Sequence, residues 1–287
     1  MRHLRIGDFH LRHRLYDALV ESVAAYGCEI WAPELLVSDT GHEHTLEAQR
    51  RDALRYMLEV LKYCPNLVLY AETGCYPRAV RWLVAVAKAW NRLVKMPEER
   101  LTEVAFRAQL ALAGEHGWAR QVIAALKAVG LEPLAGGAPA AVSVPSAKRG
   151  AQQRVIDALR AAAAAHGPSS IQAEYLEMRG ELTPRNYAAA AHLDNVRSAG
   201  ARVSLTRVRT GSSWLTVPGH GSTEVEEGEV VEHECPHCGS GSRLSTAHVL
   251  LDCAAFRGVR GNFPRIFSDP PASLEALMGR GSVGLAQ

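Results

Sequence analysis

Four residues near the C-terminus have types and spacing suited to metal chemistry. The stretch CPHCGSGSRLSTAHVLLDC sets Cys235, Cys238, His248 and Cys253 in the order C-x2-C-x9-H-x4-C. Three thiolates and one imidazole make a closed tetrahedral ligand set for Zn2+. The two-residue gap lets the first two thiols face one ion across a tight turn. Gly239 follows, at a place where such a turn favours positive φ. His248 and Cys253 are expected on a short helix that must end or tighten for both to reach the ion. His233 and His237 flank the first pair and Asp252 lies four residues after His248, so these compete for ligand positions. Four protein ligands leave no open position, which points to a structural ion that contributes folding energy rather than a hydrolytic one.

A second group suits phosphate. On a helical wheel of about 100° per residue, Lys88, Arg92 and Lys95 fall close to Arg81, with Arg78 at the edge of the same stripe. No acidic residue occurs from Pro77 to Met96. Ordinary solvated helix faces mix signs, so this face is a candidate phosphate contact, with Trp82 at its border as a surface on which a base could stack. Trp90 belongs to the opposite, apolar face. A second positive stretch, Asn195–Thr223, carries Arg197, Arg202, Arg207 and Arg209. An acidic run (Glu224, Glu226, Glu227, Glu229, Glu232, Glu234) follows it and offers those arginines ion-pair partners.

Other chemistry is not written in the chain. There is no Gly-rich phosphate loop, no G-x-S-x-G elbow, no H-E-x-x-H and no adjacent Asp-Asp pair for two-metal phosphoryl transfer. The expectation is a protein without enzymatic activity. His10, His13, His42 and His44 are expected at the surface.

These residues need elements to position them, and the apolar spacing predicts mostly helices. Leu11, Leu15, Leu19, Val23 and Tyr26 mark the first. Others are expected at about Glu43–Tyr63, Pro77–Met96, Glu98–Ala113, Trp118–Val129, 151–166, Ile171–Arg179 and Pro184–Arg197. Residues 134–150, rich in Gly, Ala, Pro and Ser, read as a linker or long exposed loop. From Ala201 the Val203, Leu205, Val208 pattern reads as extended. The expected fold class is mainly α: a helical thumb-like domain (1–133), a linker (134–150), a helical and extended connector (151–222) and a zinc-knuckle module with a tail (223–287).

Composition bounds these readings. The chain has 287 residues, is 47% hydrophobic and 22% charged, and carries a formal net charge of +2. It is long enough to bury a substantial core, and any nucleic-acid contact must be local rather than global. Of the basic residues 27 are Arg and 5 are Lys, which favours bidentate phosphate contacts and equally reflects a G+C-rich coding bias. No run of 18 or more apolar residues occurs, so no membrane span is expected. The start has no apolar signal region, and six scattered and clustered cysteines do not make a secreted disulfide framework. An intracellular, reducing location in nucleus or cytoplasm is expected.

Several segments together resemble LINE-type non-LTR retrotransposon reverse transcriptases. LYDALVESVAAYGCEIWAP (Leu15–Pro33) resembles the segment that follows the catalytic palm in that family. AETGCYP (Ala71–Pro77) resembles its E-x-G-x-x-P stretch, and VAKAWNRLVKMPEERL (Val86–Leu101) its W-x-R-L helix. LTRVRTGSSWLTV (Leu205–Val217) resembles the R-t-G-s motif. CPHCG to AHVLLDCAAFRGVR (Cys235–Arg260) resembles the terminal CCHC zinc knuckle, and FPRIF (Phe263–Phe267) the closing segment. Ser245-Thr246-Ala247 stands where the family usually has an acidic residue or two before the knuckle histidine, and Ser213-Trp214 stands where the family often has a histidine.

The resemblance spans roughly Arg12 to Met278. It implies a thumb and C-terminal region that holds RNA and/or DNA, through Arg78, Arg81, Trp82, Lys88, Arg92, Lys95, Arg207 and Arg209. Zn2+ would sit on Cys235, Cys238, His248 and Cys253. The palm carboxylates are absent from the chain, so a separate polymerase palm or another protein is an expected partner. Two other outcomes of such an origin are a structural or scaffold protein domesticated from a transposon, and a non-functional 5′-truncated relic.

Overall fold

The computed structural model describes residues 8–38, 43–111, 117–168, 170–213, 215, 234–264, 266–267 and 273–278. The fold is mainly α, and among the described residues the sheet is one two-stranded hairpin. No described helix is long and apolar enough to cross a membrane. The chain divides into two compact units that interleave along the sequence. One, here the basic-helix unit, comprises residues 14–50 and 76–155. The other, the knuckle unit, comprises residues 1–13, 51–75 and 156–287.

The basic-helix unit is built around the helix Arg78–Val94, which starts after Pro77 in an extended conformation. Its apolar face buries Val80, Leu83, Val86, Ala87 and Trp90 with Phe106, Ala119, Val122 and Leu126 from the helices Leu101–Ala111 and Trp118–Lys127. The Trp90 ring meets Phe106 edge to face, with centroids 5.2 Å apart, a favoured aromatic geometry. Trp90 Nε1 donates to the Ala140 carbonyl at 2.8 Å. The Asn91 side chain exchanges two hydrogen bonds with the Val142 backbone, at 2.7 and 2.8 Å.

Those bonds correct the expected linker. Residues 134–150 belong to this unit, and two of them, Val142 and Ala147, are buried in its core. Leu134–Ala135 and Ala138–Pro139 pair as a hairpin, closed by Gly136 and Gly137 at φ of 57° and 87°, as a two-residue turn of the primed type requires. The helix Val144–His166 then begins with Pro145 in its first turn, where a missing N–H costs nothing. The Gly, Pro and Ser residues that read as a linker are turn and helix-start residues.

The knuckle unit has a buried charge at its centre. Glu72, on the helix Asn66–Thr73, has no exposed surface. Arg209 grips its carboxylate with Nε at 2.8 Å and Nη2 at 3.2 Å, and the Tyr175 hydroxyl donates to it at 3.0 Å. Arg209 also donates to the Met278 carbonyl. His192 lies beside the pair, its Nε2 2.8 Å from Thr206 Oγ1 and 3.6 Å from the Glu72 carboxylate. Gly74 serves the same region. A Cβ there would lie 2.1 Å from the Ala189 nitrogen, while the Ala190 N–H donates to the Glu72 carbonyl at 2.9 Å. Only glycine permits that approach of the two backbones.

Two expected elements of this unit differ. The segment from Ala201 is not extended: Ala199–Arg209 is a helix, capped by Ser198, whose side chain accepts from the Ala201 N–H. Val203, Leu205 and Val208 read as strand, two of them β-branched, but tertiary contacts decide. Thr206 and Thr210 each donate to the carbonyl four residues back, at 2.8 Å, and Arg209 is anchored on Glu72. The expected helix Pro184–Arg197 shrinks to His192–Asn195. Asn186 accounts for the loss. Its side chain accepts from the Thr183 N–H at 2.7 Å and donates to the Glu181 carbonyl at 2.8 Å, which holds a turn in place of a helix.

Burial alone would raise the Glu72 carboxyl, but Arg209 foremost, with His192 and Arg179, holds it below its ordinary value. Burial pushes the His192 imidazole down to about 4 from its usual 6.5, so the folded protein keeps it neutral. In both cases the unfolded chain binds the extra proton. Stability is therefore full above the unfolded values and falls on acidification, first between about 6.5 and 4 as His192 resists protonation. Breaking one side of a buried pair costs about 3–5 kcal/mol. Urea unfolding of Arg209→Met at pH 7 is expected to show a loss of that size, while the loss between pH 7 and pH 5 is expected to be smaller in His192→Gln than in the parent.

Candidate metal centre

The knuckle begins as a tight hairpin. Glu234 and Arg243 form an antiparallel bridge, and the Cys235 N–H donates to the Ser242 carbonyl at 2.7 Å. Gly239 and Gly241, at φ of 62° and 69°, turn the chain between them. Cys235 and Cys238 thereby point to one side. The second pair comes from His248–Asp252, a single turn of π-helix. The Cys253 N–H donates to the His248 carbonyl at 2.7 Å, five residues back, and Cys253 then leaves the helix with ψ at 121°. The helix was expected to end or tighten at Cys253. It ends there, but it widens instead of tightening. A five-residue hydrogen-bonded turn brings residues five apart over one another, as the x4 spacing needs.

The four ligand atoms lie within 4.8 Å of one another. Cys235 Sγ is 3.9 Å from Cys253 Sγ, and Cys238 Sγ is 3.3 Å from His248 Nε2. Around one tetrahedral ion with metal–sulfur bonds of about 2.3 Å, neighbouring sulfurs sit about 3.8 Å apart. The spacing fits a metal ion, and Cys235, Cys238, His248 and Cys253 are the residues that could hold it. Of the competing ligands, His237 is turned away, with Nε2 3.3 Å from the Leu215 carbonyl and its ring edge-on to Phe256. Asp252 is outside the cluster, and His233 lies outside the described residues.

Electrostatics differ between the thiols. Cys238 is drawn down to about 6, chiefly by hydrogen bonds from Ser240 and further by His248. Burial raises Cys253. A metal ion would deprotonate both, because the thiolate is the ligand.

Two side chains outside the ligand set hold the helical turn. Glu174, buried on the helix Ile171–Arg179, accepts from the Thr246 and Ala247 N–H groups at 3.0 and 2.9 Å. It caps the N-terminus of the turn that carries His248. Arg260 donates to the Cys253 carbonyl at 2.8 Å and the Val249 carbonyl at 3.4 Å, closing the other end. Neither was expected from the sequence. Glu174 stands 61 residues before the first ligand in a segment that reads as an ordinary polar helix face.

The expected nucleic-acid residues separate into two groups. Arg81, Lys88, Arg92 and Lys95 are exposed along the basic helix. Arg78 is buried, with Nε and Nη2 on the Glu21 carboxylate at 2.8–3.1 Å, Nη2 also on Tyr16 Oη, and its N–H on Glu47. Trp82 has no exposed surface. Its ring meets Trp31 at 5.2 Å and His44 at 5.8 Å, so no base can stack on it. Both residues sit at the border of the stripe, where the helix wheel alone does not say which side is covered. Arg209 is committed to Glu72, and Arg207 donates to the Glu59 carbonyl at 2.8 Å and is half-buried. The acidic residues from Glu224 to Glu232, expected to pair with this stretch, lie outside the described residues. His10 and His13 are half-exposed, with His10 2.5 Å from Asp194 and His13 Nε2 3.0 Å from Cys75 Sγ. His44 stacks on Trp31, and His42 lies outside the described residues.

Compared with protein-family models, curated proteins and solved structures, the chain finds no match.

Groups that orient metal ligands typically contribute 10–100-fold to affinity. Glu174→Gln is expected to weaken metal binding by about that factor in a competition titration with a chromogenic chelator. Cys235→Ser with Cys238→Ser is expected to abolish stoichiometric binding.

Proposed function

We propose that this chain is a non-catalytic nucleic-acid-binding protein related to the C-terminal part of LINE-type reverse transcriptases, with a structural Zn2+ in its knuckle. The observation that carries the reading is the basic face: Arg81, Lys88 and Arg92 are exposed on one helix that contains no acidic residue, and Lys95 at its C-cap is exposed with them. Three of the four make no ion pair among the described residues. Arg81 stands 3.9 Å from the Glu21 carboxylate and remains half-exposed.

Glu72 of AETGCYP and Arg209 of LTRVRTG meet in one buried ion pair. Motifs far apart in sequence are thus parts of one structural unit. In this reading they act as framework, and the nucleic acid meets the basic helix. Zn2+, held by Cys235, Cys238, His248 and Cys253, acts as a cross-link, with no position left for substrate.

Four phosphate contacts to a single strand give a slope of about −2.8 in log K against log salt. Binding of nuclease-treated protein to single-stranded RNA and to duplex DNA across a salt series measures it. Replacing Lys88, Arg92 and Lys95 by alanine is expected to reduce the slope to about −0.7 without changing the unfolding midpoint. A parental slope near zero contradicts the proposal. Protein partners that remain bound after nuclease treatment in a pull-down, together with such a flat slope, favour the scaffold reading.

A further inference from the structure

A second basic segment lies against the basic helix. No acidic residue occurs from Pro133 to Ile156. Within that stretch Lys148 and Arg149 are exposed on the helix Val144–His166, and neither makes an ion pair among the described residues. The acids that bound the stretch are paired elsewhere, Glu132 with Lys127 at 3.4 Å and Asp157 with Arg160 at 3.3 Å. Asn91 fixes the place of the segment. Its side chain donates to the Val142 carbonyl and accepts from the Val142 N–H, at 2.7 and 2.8 Å. Lys88 stands three residues before Asn91, and Lys95, at the helix C-cap, four residues after it. Residues at those spacings are neighbours on a helix surface, so the Val142 backbone lies beside two exposed lysines.

From there a line of donors runs to Arg149. Arg149 Nη2 donates to Ser146 Oγ at 3.0 Å, and Ser146 Oγ donates to Ser143 Oγ at 2.9 Å. The Ser146 N–H also donates to Ser143 Oγ, at 3.3 Å. Ser143 thus accepts twice, and its own hydroxyl proton goes to no described residue. Its side chain is exposed. Each donor in such a chain polarises the next. The line begins on a guanidinium and ends on an exposed hydroxyl, one residue from the backbone that Asn91 holds. Arginine, lysine and serine donors gathered in this way match phosphate oxygens.

We infer that this line is a second phosphate contact, and that a bound strand crosses from the basic helix onto the start of the helix Val144–His166. The inference rests on the proposed nucleic-acid binding and deepens it. The ligand is a single strand long enough to touch both helices, with Ser143, Lys148 and Arg149 added to the four cations of the basic face. A free phosphate could occupy one contact, but only a continuous strand joins the two.

Fluorescence anisotropy of labelled oligouridylate with the full-length, nuclease-treated protein tests the inference. Strands of about 6 and about 15 nucleotides are compared across a salt series. The short strand is expected to give a slope of about −2.8 in log K against log salt, and the long strand one steeper by about 1.4, for the two added cations. Lys148→Ala with Arg149→Ala, both at exposed positions, is expected to return the long strand to the short-strand slope with unchanged helical circular dichroism. Equal parental slopes at the two lengths overturn the inference and leave the basic helix as the whole contact. So does a double variant that keeps the steeper slope on the long strand. A slope near zero at both lengths removes the nucleic-acid reading itself, and this inference with it.

Discussion

A carboxylate with no exposed surface is tolerable only when its charge is answered within the protein, and Glu72 organises the knuckle unit for that reason. Its partners come from three other segments: Arg209 from the helix Ala199–Arg209, Tyr175 from Ile171–Arg179, and His192 from the short helix between them. None of these can shift without leaving a buried charge short of a partner, which is far more costly than losing an ordinary contact. The consequence reaches the metal centre. Tyr175 bonds Glu72, and its neighbour Glu174 caps the turn that carries His248. The helix that answers the buried charge is the helix that aims a metal ligand.

The basic-helix unit uses the same device. Glu21 is buried against Arg78 and Arg50, and Glu47 accepts from the N–H of Arg78 at the start of the basic helix. Buried acids thus take up the arginines at the edges of the basic patterns. What is left at the surface of the basic helix is a narrower set, Arg81, Lys88, Arg92 and Lys95. The low net charge agrees with this division, because many cations are neutralised inside the protein.

The clustering of Cys235, Cys238, His248 and Cys253 is legible in the sequence because it depends on local spacing and on a turn glycine beside them. The helices with strong apolar periodicity are legible for a similar reason: Trp118–Lys127 and Ile171–Arg179 fall close to where their patterns put them. Arg78 and Trp82 mislead because a helix wheel gives direction and not cover, and their cover comes from Glu21, Trp31 and His44, far away in the chain. The stretch 134–150 misleads because glycine and proline serve turns and helix starts as readily as linkers. Ala199–Arg209 misleads because β-branched residues settle into a helix when one end is anchored by an ion pair. Glu174 is invisible in the sequence, since its partners are backbone groups more than 70 residues away.

Cys235, Cys238, His248 and Cys253 together offer one metal ion three sulfurs and one nitrogen. X-ray absorption at the zinc edge of the full-length protein tests this most directly. The expected spectrum fits three sulfur scatterers at about 2.3 Å and one nitrogen at about 2.0–2.1 Å. A six-coordinate shell of oxygen and nitrogen, or protein purified at neutral pH without stoichiometric metal, contradicts it.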